Sequence, residues 1–204
     1  KDISYAEELG YKIKLLGIAK SQNADVEIRV HPTLVPKNRL VANVDGAMNA
    51  VLVHGNMVGP TLYYGAGAGA EPTASAVVAD VIDIARQTKL SQDTLIPSLG
   101  FMPDKINEKN ILSIENIFSE YYLRFTMKNQ AGLLAKITNI FADHDISINS
   151  MVHKEVQENN QNPDIFLITS KTKEADIDII ISEIELLPEN TEKVVKIRTE
   201  ELNK

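Results

Sequence analysis

Apolar and polar positions alternate in two runs near the start of the chain. In YKIKLLGIAKSQ, Ile13 and Leu15 are interleaved with Lys12 and Lys14, and VEIRVHPTLV alternates again up to Pro36, with Asn23, Ala24 and Asp25 as turn residues between them. A period of two sends successive side chains to opposite faces, so the runs predict an antiparallel hairpin over Tyr11 to Val35, preceded by the end of a helix over Asp2 to Gly10. Val51 to His54 and Thr61 to Tyr64 predict two shorter strands around the turn GNMVGP. The period then lengthens: Val77, Val78, Val81, Ile82 and Ala85 form one helical stripe, with Pro72 suited to a first helical position. From Thr88 to Asn116 the pattern weakens, broken by Pro97, Gly100 and Pro103. It resumes as strand Tyr121 to Lys128, helix Gly132 to Asp143, strand Ile146 to Val156, strand Asp164 to Lys171, helix Glu174 to Leu187 and strand Val194 to Thr199. The order βαββαβ is the split arrangement of ferredoxin-like domains. Leu133, Leu134, Ile137, Ile140 and Phe141 on one helix, and Ile177, Ile180, Ile181 and Ile184 on the other, supply faces that can cover one side of a four-stranded sheet. The fold class is α+β: a partial mixed or antiparallel sheet domain over residues 1–90, a linker over 91–118, and a ferredoxin-like domain over 119–204.

Charge and composition narrow the chemistry. A net charge of -7, with no strongly basic window, argues against a nucleic-acid surface. The absence of cysteine removes disulfides, thiolate nucleophiles and zinc-thiolate sites and fits a reducing compartment. No apolar run approaches the ~20 residues of a membrane span, and the first residues lack a signal-peptide layout, so a cytoplasmic protein without a membrane partner is expected. The chain opens on Lys1 within a helical pattern, as a piece of a longer polypeptide would. His31, His54, His144 and His153 show no ligand spacing, so no metal site is expected; His144 reads as a surface cap at a helix end. The acidic residues from Glu174 to Glu189 read as the solvated face of an amphipathic helix. Lys12, Lys14 and Lys20 read as a charged sheet face.

One glycine run stands out. Gly65-Ala66-Gly67-Ala68-Gly69-Ala70 ahead of a helix formally fits the dinucleotide fingerprint G-x-G-x-x-A, in which backbone approaches a pyrophosphate at a helix N-terminus. A Rossmann unit also needs a parallel strand after the helix and an acidic residue about 20 positions on, and neither is evident. A ligand-contacting loop and a tight strand-to-helix turn both remain open.

DISYAEELGYKIKLLGIAK, VHPTLVP and VDGAMNAVLVHGNMVGPTLYYGAGAGAEPTASAVVADVIDIAR, in that order, resemble the second half of bacterial homoserine dehydrogenases over roughly residues 1 to 90. The resemblance implies part of a catalytic and dimerisation domain of an oxidoreductase that interconverts L-homoserine and L-aspartate 4-semialdehyde with NAD or NADP, in threonine, methionine and isoleucine biosynthesis. It implies that Gly65, Gly67, Gly69, Glu71 and Thr73 lie against the nicotinamide side of the cofactor. The family's Rossmann fingerprint, its acidic homoserine-binding residues and its proton-shuttling lysine lie upstream of the matching segment. No catalytic residue is therefore expected in this chain, and the chain alone is expected to be inactive.

KNQAGLLAKITNIFADHDISINSMVHKE resembles an ACT domain, whose loop commonly reads D-x-P-G ahead of an apolar helix; here it reads Asn129-Gln130-Ala131-Gly132. The resemblance implies a regulatory site for a small amino acid, threonine by family, formed by Asn129, Gln130, Ala131, Gly132 and Leu133 with Ser147, Asn149 and Met151 on the next strand. It also implies a homo-oligomer, at least a dimer. Asn129 can donate or accept but carries no charge for an ammonium group. The rival readings are a stand-alone amino-acid-binding regulatory module and an oligomerisation unit without chemistry.

Overall fold

The computed structural model describes residues 1–22, 25–89, 97, 99–154 and 162–202. Contacts divide the chain into two units, Lys1–Ala42 with Asn110–Asn203, and Asn43–Lys109. In the first, helix α1 (Asp2–Glu8) leads into the hairpin β1 (Tyr11–Gln22) and β2 (Asp25–Pro36), which pair antiparallel from Tyr11 opposite Pro36 to Gln22 opposite Asp25. In the second unit, β3 (Met48–Gly55) and β4 (Gly59–Ala66) form a separate antiparallel hairpin followed by helix α2 (Ala70–Gln87). The first unit resumes with the short strands β5 (Asn110–Ile111) and β6 (Phe118–Ser119), and then the series β7 (Tyr121–Thr126), α3 (Leu133–Asp143), β8 (Ile148–Lys154), β9 (Asp164–Thr169), β10 (Thr172–Lys173), α4 (Glu174–Glu185) and β11 (Val195–Thr199).

The βαββαβ core is present, and the chain is α+β with a mixed sheet. The seven-stranded sheet runs β1-β2-β11-β7-β9-β8, with β5 added on β2. Its last four strands have the ferredoxin-like order. The hairpin β1–β2 extends that same sheet, because β2 pairs parallel with β11 at Thr33 opposite Arg198 and Leu34 opposite Thr199. The periodicity had grouped the hairpin with the glycine run; by contacts it groups with residues more than 70 positions further on. Strand pairing is a long-range choice that the local period does not contain.

Every residue of β7 and of β9 is buried, so the sheet is covered on both faces. On one face Tyr121, Leu123, Phe125, Ile165 and Leu167 pack against Leu133, Ile137 and Phe141 of α3 and Ile177, Ile180 and Ile184 of α4. On the other, Tyr122, Phe166 and Ile168 pack with Ala6 of α1 and Leu34 of β2, flanked by Tyr5, Leu9, Tyr11 and Ile13. Tyr5 stacks on Phe166 with ring centroids 4.4 Å apart and planes 10° apart. The near-continuous apolar run of YYLRFT is what a strand covered on both sides requires. Fully burying each such side chain stabilises by about 1.5–3 kcal/mol.

In the second unit no residue of α2 is buried: Val77, Val78, Val81 and Ile82 are 45–60% exposed. The helix starts at Ala70, two residues before the expected Pro72, which still falls in the first turn where its missing N–H costs nothing. Residues 90–96 and 98 of the expected linker, and the expected end of β8 at Glu155 and Val156, lie outside the described residues. Among the described residues no helix is long and apolar enough to cross a membrane, and no group of His, Cys, Asp or Glu could hold a metal ion.

Candidate functional site

The loop between β7 and α3 is held from below before it reaches the helix. The Lys128 amide donates to the Glu189 carbonyl at 2.8 Å, and the Lys136 ammonium of α3 bonds the Glu189 carboxylate. That hydrogen bond holds the Glu189 carboxyl below the usual glutamate range. Gly132 then turns the chain into α3 at φ +83, a left-handed conformation that side chains with a Cβ resist. No side chain caps the helix start, so first-turn N–H groups face the loop.

Here a cavity of about 170 Å³ is lined by Asn129, Gln130, Gly132, Leu133, Leu134, Ala135 and His153. Its polar groups are two carboxamides, the helix start and one imidazole. No carboxylate lines it, so a ligand's anionic or hydroxyl group is matched better than its ammonium, which has only uncharged acceptors to meet.

The structure thus brings together Asn129, Gln130, Gly132 and Leu133, but not the other expected residues. Ala131 is exposed and outside the lining. Ser147 and Asn149 precede or open β8, opposite Thr169 and far along the strand from His153, and the Asn149 amide is spent on Glu120 Oε1 at 3.1 Å and the Thr169 carbonyl at 3.2 Å. Met151 packs against the core. The reason is topological. Helix α3 runs back along β7, so β8 begins at the far end from the loop, and only its last residues return to it. His153 does so. Ligand spacing among the histidines does not mark it; its position at the end of a strand following an 11-residue helix is the signal the sequence carries.

The glycine run forms the β4-to-α2 turn. Gly69 is the N-cap of α2 at φ +130, a conformation that side chains with a Cβ resist, whereas a Cβ on Gly67 would lie 2.5 Å from the side-chain carboxamide nitrogen of the exposed Asn49, which must swing aside to admit it. Around Gly65 there is open space, and Glu71 and Thr73 fall in the first turn, the Thr73 amide bonding the Gly69 carbonyl at 3.2 Å. The two-stranded β3–β4 sheet gains no further strand after α2, so the run is a strand-to-helix turn at a helix N-terminus and not a Rossmann unit among the described residues.

Two buried ionic clusters were invisible in the sequence. Glu174, read as a solvated helix residue, is 2% exposed, and its carboxylate accepts from Arg198 Nε at 2.7 Å, Tyr121 Oη at 2.8 Å and the Lys196 ammonium. Burial pushes its carboxyl up, but the hydrogen bonds from these three side chains outweigh burial and hold it below the usual range. On the opposite face Arg124 Nε donates to Asp2 at 2.7 Å, Tyr122 Oη donates to Asp2 at 2.9 Å, and Asp164 accepts from Thr126 at 2.7 Å and from Tyr5 at 2.9 Å. Asp2 and Asp164 are likewise raised by burial and lowered further by these bonds, while burial and the Asp164 carboxylate push Tyr5 up to about 12. His144, expected as a cap, does end α3, and its Nε2 meets Glu183 of α4 at 2.9 Å. Asp145 beyond it takes the left-handed position at φ 55.

Comparison with known proteins agrees with both halves of the chain. The family model described as homoserine dehydrogenase matches residues 1–82, and that of the ACT domain matches residues 121–189. A homoserine dehydrogenase of Pseudomonas aeruginosa is 46% identical over 202 residues, covering 99% of this chain and 46% of that protein. One of Neisseria gonorrhoeae is 47% identical over 203 residues, with 100% and 46% covered. The chain thus spans just under half the length of these curated relatives. The crystal structure of a homoserine dehydrogenase from Thiobacillus denitrificans superposes with a TM-score of 0.89 at 51% identity, covering 99% of this chain and 45% of that one. By family match, by relatives and by fold, the chain belongs to the homoserine dehydrogenase family and carries an ACT domain.

Proposed function

We propose that this chain serves a homoserine dehydrogenase as an effector-binding and cofactor-contacting part, in an enzyme interconverting L-homoserine and L-aspartate 4-semialdehyde in threonine, methionine and isoleucine biosynthesis. The observation that carries this reading is the 46–47% identity to homoserine dehydrogenases along essentially the whole chain. Residues 1–90 act with the catalytic and dimerisation domain and 119–204 regulate it. The setting is the cytoplasm and the assembly at least a dimer.

NAD or NADP, when bound, supplies or accepts the hydride. The glycine run suits its approach: Gly69 takes a φ of +130 that side chains with a Cβ resist, a Cβ on Gly67 would displace only the Asn49 carboxamide, Gly65 borders open space, and the N-terminus of the 18-residue α2 favours electronegative groups. Gly65, Gly67, Gly69, Glu71 and Thr73 would hold and orient the nicotinamide end. The chain's own contribution there is position and water exclusion.

The regulatory ligand is a small amino acid, threonine in this reading, seated in the Asn129–His153 cavity. Its carboxylate gains about 0.3–1 kcal/mol from the helix start near a surface, up to roughly 2 when partly buried. That is too little alone, so Asn129, Gln130 and His153 supply the remaining polar contacts. Calorimetric titration with threonine, beside isoleucine, methionine and serine, tests this. Saturable heat with threonine supports it. Absence of heat and of thermal stabilisation at millimolar ligand, in folded protein, leaves the domain as an oligomerisation unit.

A further inference from the structure

Successive residues of a strand point to opposite faces of its sheet, and at the end of β8 this places two different functions side by side. His153 lines the cavity. Lys154, the next residue, faces the other way and bonds Glu8 of α1, Nζ to Oε1 at 2.8 Å. The other cavity wall follows β7, whose last residue Thr126 stands three positions before Asn129 and donates to Asp164. Asp164 is the register partner of both Thr126 and Lys154, so it lies between the two walls. Its second oxygen accepts from Tyr5 of α1, and Arg124, two residues before Thr126, bonds both Thr126 and Asp2 of α1. Helix α1 is therefore tied near both its ends to the strand ends that carry the cavity, through the sheet. It belongs to the part matched by the homoserine dehydrogenase family, whereas the cavity belongs to the ACT part.

We infer that α1 is the element through which occupancy of the Asn129–His153 cavity is communicated to the homoserine dehydrogenase part, with the Asp2–Arg124–Asp164 and Glu8–Lys154 contacts as the connection. This rests on the reading of the cavity as an amino-acid site. A ligand that draws the two walls together displaces Thr126, Asp164 and Lys154, and these are the groups that α1 grips. Coupling between sites is reciprocal: whatever the ligand does to α1, loosening α1 does to the ligand by the same factor.

The test uses the whole chain and threonine as the probe. Amide hydrogen exchange over residues 3–9 is measured with and without saturating threonine, beside calorimetric affinity for the unmodified chain, for Asp2→Asn, for Lys154→Met and for the two combined. The expected result is an exchange rate in α1 changed at least about fivefold by threonine, and threonine affinity changed about fivefold or more in the paired variant Asp2→Asn/Lys154→Met. Threonine binding with exchange in α1 unaltered overturns the inference and leaves the site standing. Failure of threonine to bind the folded chain overturns the site, and the inference with it. Because the exchange measurement needs no substitution, misfolding of a variant does not obscure the outcome.

Discussion

Glu174 illustrates what a single buried carboxylate does here. Its three donors come from Tyr121 on β7 and from Lys196 and Arg198 on β11, so it binds the start of α4 to two strands. Glu174→Ala removes the acceptor and leaves Arg198 without its counter-charge. The expected loss is about 3 kcal/mol, read as the shift in urea midpoint, with Glu174→Gln losing less because it keeps one acceptor oxygen. The pH dependence follows from the direction of the shifts. Glu174, Asp2 and Asp164 all have carboxyls lowered on folding. Their stabilisation is full above the ordinary carboxylate range and is lost as pH falls through the lowered values of the folded state. Thermal midpoints measured from pH 7 down to pH 3 should fall at the acid end, and the fall should be shallower in Glu174→Gln. Nothing in the local sequence marked Glu174: EADIDIIISEIE is a regular amphipathic helix, and its first residue is buried only because β11 arrives with Arg198 and Lys196.

At the scale of elements, α3 and its loop decide what the candidate site contains. Gly132 holds φ +83 with no neighbour within 4 Å of a built Cβ, so Gly132→Ala meets backbone strain and no clash. Strain of about 1–3 kcal/mol is expected, and relief by turning the loop should weaken threonine binding more than it lowers the melting temperature, a split that calorimetry and thermal denaturation read separately. The glycine and its loop were legible as a helix entry. His153 was not, nor was the distance of Asn149 from the loop, since the return of β8 to the loop is a property of how a strand, a helix and a parallel strand close on one sheet. Helix α1 makes the same point on the other face. Phe166→Ala removes the platform under Tyr5 and should cost about 3–5 kcal/mol, and amides of α1 should lose protection first.

For the whole molecule, the expectation is that the purified chain of 204 residues shows no homoserine-dependent reduction of NAD or NADP; measurable turnover would overturn it. The exposed stripe of α2 leaves apolar surface open to another protein surface, and sedimentation should report at least a dimer, dissociated by Val78→Glu with Val81→Glu. The residue pattern by itself determined the type and order of the longer elements, because periods of two and 3.6 are written in neighbouring residues, though not the two-residue strands β5, β6 and β10, and it carried the family resemblance in its glycine run and its NQAG loop. Only the tertiary structure decided that the first hairpin joins β11, that α1 covers the second face, and that Asp2 finds Arg124 across 122 positions. Those choices depend on register and on the meeting of charges distant in sequence. A local pattern shows which face a side chain takes, and only the folded chain shows what stands opposite.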